Sequence, residues 1–87
     1  MRIELSTDDR RQWENRLAAL SEKYDVTLQL AEVIGKRWSY LVGPTASTAG
    51  LTGLFREKIG AGLGIIIFPR SQSFTAAEKA RLLADLR

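Results

Sequence analysis

The stretch Val26-Thr27-Leu28-Gln29-Leu30-Ala31-Glu32-Val33-Ile34-Gly35-Lys36-Arg37-Trp38-Ser39-Tyr40-Leu41-Val42 decides the fold. Val26, Leu28 and Leu30 alternate with Thr27 and Gln29, and Trp38, Tyr40 and Val42 alternate with Ser39 and Leu41. Alternation of period two on both sides of a glycine-containing turn marks a β-hairpin with one buried face. A two-residue turn at Gly35-Lys36 pairs Leu30 with Leu41 and sets Trp38 and Tyr40 apart from the leucines. A three-residue loop, Gly35-Lys36-Arg37, pairs Ile34 with Trp38 and Leu30 with Val42, which keeps the apolar set together. Register follows the buried face, so the three-residue loop is expected, with Trp38 and Tyr40 in the core beside Leu28 and Leu30. Glu32 falls on that same face. It is either a functional carboxylate beside Tyr40 or an arginine, or a mark of where the strand leaves the core or of a bulge that turns it outward; the second reading is expected.

Before the hairpin, Met1, Ile3 and Leu5 alternate with Arg2 and Glu4, which predicts a short strand over 1–5. Ser6-Thr7-Asp8-Asp9 supplies helix-capping oxygens and early acidic residues. Trp13, Leu17, Leu20 and Tyr24 then recur at steps of four, three and four, so residues 8–23 form an amphipathic helix.

Beyond the hairpin, residues 43–50 are small, polar and turn-rich and read as a loop. Leu51, Leu54, Phe55 and Ile59 recur at helical spacing and predict a short helix over 50–59, ended by Gly60. Leu63-Gly64-Ile65-Ile66-Ile67-Phe68 is a strand apolar on both faces, closed by Pro69. Thr75 and Glu78 have the spacing of a capping box opening a terminal helix over 76–87, with Leu82, Leu83 and Leu86 on its apolar side. The expected order is β-α-β-β-α-β-α: an α+β domain resembling a ferredoxin-like plait with an added C-terminal helix. Residues 1–87 make one domain with one modest core.

Composition narrows the chemistry. The chain has no cysteine and no histidine. It therefore offers no thiolate nucleophile, no imidazole base and no Cys- or His-ligated metal. No catalytic, cofactor-binding or metal-ligating residue is singled out, and the chain is read as non-enzymatic. No basic segment followed by an apolar stretch opens the sequence, and no apolar run reaches the ~20 residues of a membrane span. A cytoplasmic protein with no membrane partner is expected. The net charge of +3 comes from 13 basic and 10 acidic residues interleaved along the chain, which reads as solvated faces rather than one basic stripe.

Four features are candidates for function. The loop of residues 43–50, with Ser47 and Thr48, has the glycines and hydroxyls of an anion-binding turn but lacks the lysine of a phosphate loop. Gly60-Ala61-Gly62-Leu63-Gly64 precedes a strand instead of opening a helix, so it is a helix stop and turn, not a dinucleotide site. Lys36 and Arg37 at the hairpin tip, with Arg10, Arg11 and Arg16 of the first helix, offer contacts to an anion or nucleic acid. The strand Ile65-Ile66-Ile67-Phe68 lies at a sheet edge in a plait and needs cover there, from the terminal helix or from a partner. The leading expectation is a protein-interaction or self-assembly module: a homodimer, or a complex with another protein, built on Ile65–Phe68. The alternative is a weak nucleic-acid-binding protein using Lys36, Arg37 and the helix arginines.

Overall fold

The computed structural model describes residues 4–43, 55–71 and 73–87. The elements run α1 (Thr7–Tyr24), β1 (Val26–Ile34), β2 (Arg37–Val42), β3 (Phe55–Gly60), β4 (Leu63–Pro69) and α2 (Ala76–Leu86). The four strands form one sheet in the order β2-β1-β4-β3, and every neighbouring pair is antiparallel. The α+β class therefore holds, but the described order is α-β-β-β-β-α and not that of a ferredoxin-like plait.

Both helices start where their caps predict. The Ser6 hydroxyl accepts from the Asp9 N–H at 3.1 Å, with Asp8 and Asp9 in the first turn of α1. Asp25 ends α1 in the left-handed region (φ 54°), its N–H returning to the Ser21 carbonyl. The Thr75 hydroxyl accepts from the Glu78 N–H at 3.2 Å and opens α2. Of the strand expected over 1–5, Met1–Ile3 lie outside the described residues and Glu4 and Leu5 belong to no strand.

The helix expected over 50–59 is corrected. Residues 50–54 lie outside the described residues, and residues 55–60 are strand β3, paired along β4 from Phe55–Ile67 to Gly60–Leu63. Phe55, Glu57 and Ile59 also alternate with Arg56 and Lys58, a period-two pattern hidden inside the helical one. Hydrogen bonding to β4 outweighs the weak local helix preference of so short a segment. What looked like a helix stop at Gly60-Ala61-Gly62 is the turn between β3 and β4. The turn joins β1 as well, since the Val33 N–H donates to the Gly62 carbonyl at 2.9 Å.

The hairpin takes neither of the two expected registers throughout. Near the tip Ile34 pairs with Arg37, Val33 with Trp38 and Ala31 with Tyr40, around a two-residue turn; then the register shifts and Leu30 pairs with Val42. Gly35 sits at φ 60° at the first turn position, a conformation glycine adopts without strain and one that favours the two-residue hairpin. The bulge opposite Leu30 and Ala31 then restores Val42 to the buried face. Turn chemistry decides one end of the hairpin and burial the other.

The core lies between the sheet and the two helices. Leu28 faces Ile67 and Leu30 faces Ile65 across β1 and β4. These four side chains, with Leu17 of α1 and Leu82 of α2, are fully buried. Glu57 of β3 pairs with Lys79 of α2 at 2.9 Å on the same side, and Phe55 packs on Phe74 with ring centroids 6.0 Å apart. Across the helix layer, Arg16 donates to the Leu86 carbonyl at 2.6 Å, a cation at the negative end of α2. No described helix is long and apolar enough to cross a membrane.

Among the described residues, no helix lies on the opposite face of the sheet. There the far edge of the Trp38 indole closes over Gly64. A Cβ built on Gly64 falls 2.2 Å from Trp38 Cζ3 and 2.8 Å from Val33 Cγ2. Gly64→Ala is therefore expected to displace the indole and destabilise the fold by about 1–3 kcal/mol, the usual range for overpacking. Urea unfolding followed by tryptophan emission reads both effects; unchanged stability and emission would mean that the indole does not rest on Gly64.

Candidate functional site

Alternation along β1 places Val26, Leu28, Leu30 and Glu32 toward the helices and Thr27, Gln29, Ala31 and Val33 on the open face. Cross-strand pairing extends that face over the whole sheet. One row runs Tyr40, Ala31, Gly64, Lys58 from edge to edge, and the next holds Gln29, Ile66 and Arg56. Phe68 lies opposite Thr27, and Trp38 opposite Val33. Trp38, Ile66 and Phe68 are half-buried, and Tyr40 is 49% exposed.

Two of these aromatic rings are fixed in place. The Tyr40 hydroxyl donates to the Gly43 carbonyl, so its ring is tethered at the far end although about half of the residue is exposed. Trp38 is held by its seat on Gly64. An exposed aromatic ring with its rotamer already settled loses little entropy when it takes a partner.

Charge is sorted between the two sides. The chain has ten acidic residues, and none stands at a strand position on the open face. Asp8, Asp9, Glu14 and Glu22 lie on α1 and Asp25 at its end, Glu78 and Asp85 lie on α2, and Glu4 precedes α1. Glu32 and Glu57 are on strands but turn toward the helices; Glu32 is buried there. The open face carries Arg56 and Lys58, both exposed and neither in an ion pair among the described residues. Arg70, just beyond β4, reaches the same face, its Nε donating to the Thr27 hydroxyl at 3.2 Å.

The residues singled out from sequence do not converge. Ile65 and Ile67 are fully buried in the core, so the folded chain cannot offer them to a partner; Ile66 and Phe68 are on the open face. The strand itself is not an edge, because β3 covers its outer side. Arg10 donates to the Leu41 carbonyl at 2.7 Å and anchors α1 on β2, while Arg11 is an exposed residue of α1. Lys36 and Arg37 are exposed at the hairpin tip, away from Arg10 and Arg11 along the sequence and off the open-face rows. Ser47 and Thr48 lie outside the described residues. The placement of Trp38 and Tyr40 in the core is corrected: the two-residue turn sends them to the open face. Arg56 and Lys58 were missed because their segment reads as helix, although the Phe55-Arg56-Glu57-Lys58-Ile59 alternation carries the signal.

A second feature is a cleft of about 640 Å³ beside α1, bounded by Glu14, Leu17, Ser21, Glu22, Gly43 and Arg70. The Ser21 hydroxyl is buried there without a hydrogen-bond partner among the described residues. Among those residues no three acidic side chains gather as a metal site. No protein-family model, no curated protein and no solved structure matches the chain.

The remaining polar cluster joins the two helices. Asp85 of α2 accepts from the Tyr24 hydroxyl at 2.7 Å and from Lys23 at 3.1 Å. These two bonds, Tyr24's first, hold the Asp85 carboxyl below its usual range. The Lys23 ammonium and the Tyr24 hydroxyl are raised, both chiefly by bonding to Asp85. A depressed carboxyl stabilises the fold above its unfolded pKa near 4 and loses that contribution as pH falls through the folded value. A raised Lys or Tyr stabilises below about pH 10 and loses it as pH rises. The tie is thus at full strength from about pH 5 to 9. Asp85→Asn is expected to flatten both limbs of the stability–pH profile, modestly because the cluster is exposed. Thermal melts from pH 3 to 11 check this, and identical profiles for the two proteins would show that the cluster contributes nothing.

Proposed function

We propose that the protein is a non-enzymatic binding module that holds an acidic partner on the open face of its sheet. The observation that carries this reading is the combination on one face of Trp38, Tyr40, Ile66 and Phe68 with Arg56, Lys58 and Arg70, and of no strand-borne carboxylate. Aromatic and aliphatic side chains supply the contact area. Cations without local counter-charges supply long-range attraction and orientation.

Self-assembly through this face is the second reading, supported by the apolar surface of Ile66 and Phe68. Two copies stacked sheet to sheet bring the same cations together with no carboxylate on either face to answer them, and like charges at an interface are unfavourable. An acidic partner meets the same surface without that conflict.

Heparin, a polyanion without aromatic bases, isolates the electrostatic part of this reading. Reversing two of the face cations (Arg56→Glu with Lys58→Glu) is expected to lower the salt needed for elution from heparin well below that of the parent. Reversing two exposed helix cations (Arg11→Glu with Arg81→Glu) changes net charge equally and is expected to shift elution far less. Equal shifts would mean that net charge alone drives retention, and the open face would lose its role. Light scattering across protein concentrations covers the other reading: a dimer that Ile66→Lys dissociates would seat a second copy on the face.

A further inference from the structure

We infer that the acidic partner is a single-stranded nucleic acid, its bases stacked on Tyr40 and Trp38 and its phosphates set against Arg56, Lys58 and Arg70. This rests on the reading of the open face as the docking surface and names what the surface is built to hold.

The geometry distinguishes among polyanions. The face combines flat rings with cations, and the two kinds of group are separated across the sheet. Tyr40 stands on the β2 edge and the Trp38 indole reaches from that edge across to Gly64 of β4, while Arg56 and Lys58 stand on the β3 edge. Neighbouring strands lie about 4.8 Å apart, so the platform from Tyr40 to Lys58 is roughly 14 Å across. An antiparallel four-stranded surface of that width takes two or three unstacked bases, with the backbone running toward the cations. An acidic peptide meets the cations equally well but does not carry a flat aromatic ring at every charged unit, as a nucleotide does. A duplex presents phosphates, yet its bases are already stacked on one another and closed to the aromatic side chains.

The rings are suited to stacking and poorly suited to reading base edges. The Tyr40 hydroxyl proton is committed to the Gly43 carbonyl, so the side chain has no donor left for reading a base edge and offers chiefly its ring. The Trp38 indole lies across Gly64 in the middle of the sheet and is half-buried, so a base approaching that region meets the indole rather than the backbone. Binding through ring faces and phosphate contacts tolerates any sequence, because every base has a π-face. The expected ligand is therefore a single strand of DNA or RNA recognised with little sequence preference.

The test uses the intact chain with Trp13→Phe, so that Trp38 is the one indole left of two. Emission is followed while adding a twelve-nucleotide oligo-thymidine, an oligo-uridine of the same length, a blunt DNA duplex, or heparin. Single strands are expected to quench Trp38, whereas heparin binds without quenching. Three phosphate contacts give a log–log salt slope near −2, from about −0.7 per contact on single strands. Loss of one stacking ring in Tyr40→Ser is expected to weaken single-strand binding by about five- to 150-fold, and Tyr40→Phe, which keeps the ring, to restore most of it. Circular dichroism confirms that the variants are folded. Heparin binding with no response to either single strand would overturn the nucleic-acid assignment and leave an acidic partner in place. Equal affinity for duplex and single strand, or indifference to Tyr40→Ser, would also overturn it. Loss of binding to both heparin and oligonucleotides would remove the open-face reading as well.

Discussion

The pairing of β1 with β4 is the constraint on which the rest of the structure depends. Leu28 opposite Ile67 and Leu30 opposite Ile65 make a block of four fully buried aliphatic side chains at the centre of the sheet. Each contributes about 1.5–3 kcal/mol of burial free energy, so a slip of one residue would turn the whole block to the wrong face. Once this register is set, β2 and β3 take the two flanks and become the sheet edges. Leu17, Leu82, Leu83 and Leu86 then have one apolar surface on which to pack, and both helices lie on it.

The open face follows from the same arrangement. A strand as apolar as β4 is half satisfied by the helices, through Ile65 and Ile67, and leaves Ile66 and Phe68 on the other side. The hairpin adds Trp38 and Tyr40 there because its bulge divides the work of β2, sending Val42 inward and the aromatic residues outward. Six of the ten acidic residues serve the helix layer: Asp8, Asp9 and Glu78 sit in first turns, Asp85 and Glu57 bridge to Lys23 and Lys79, and Glu32 lies buried. The separation of charge is thus in good part a consequence of helix capping and of ion pairs made by the helices. Its effect is a sheet surface whose charged strand positions, Arg56 and Lys58, are all cationic.

Much of this was legible in the residues themselves. The caps at Ser6 and Thr75, the leucine spacing of both helices and the alternation over 26–42 locate α1, α2 and the hairpin. Length and turn residues locate β4. The segment 55–60 was not legible, because Phe55 and Ile59 satisfy a helical spacing and a strand spacing at once and only pairing with β4 separates them. Trp38 and Tyr40 were misplaced for a related reason. Their apolar character argues for the core, but a glycine at the first position of a two-residue turn overrides that preference for the residues nearest the tip, and the bulge that reconciles the two ends leaves no mark in the sequence.

The amino-acid sequence by itself determined the class of the domain, the ends of its helices, the strand-forming character of 26–42 and 63–69, and the absence of imidazole and thiol chemistry. These follow from local rules, namely side-chain capping, hydrophobic period and residue type, which act within a few residues. Tertiary structure alone decided which strands are edges, which face of β4 is covered, and that Arg56 and Lys58 share a surface with Tyr40 some sixteen or more positions earlier. Those outcomes depend on long-range pairing, in which a strand's neighbour is chosen by the fit of whole apolar rows and no single segment carries the information.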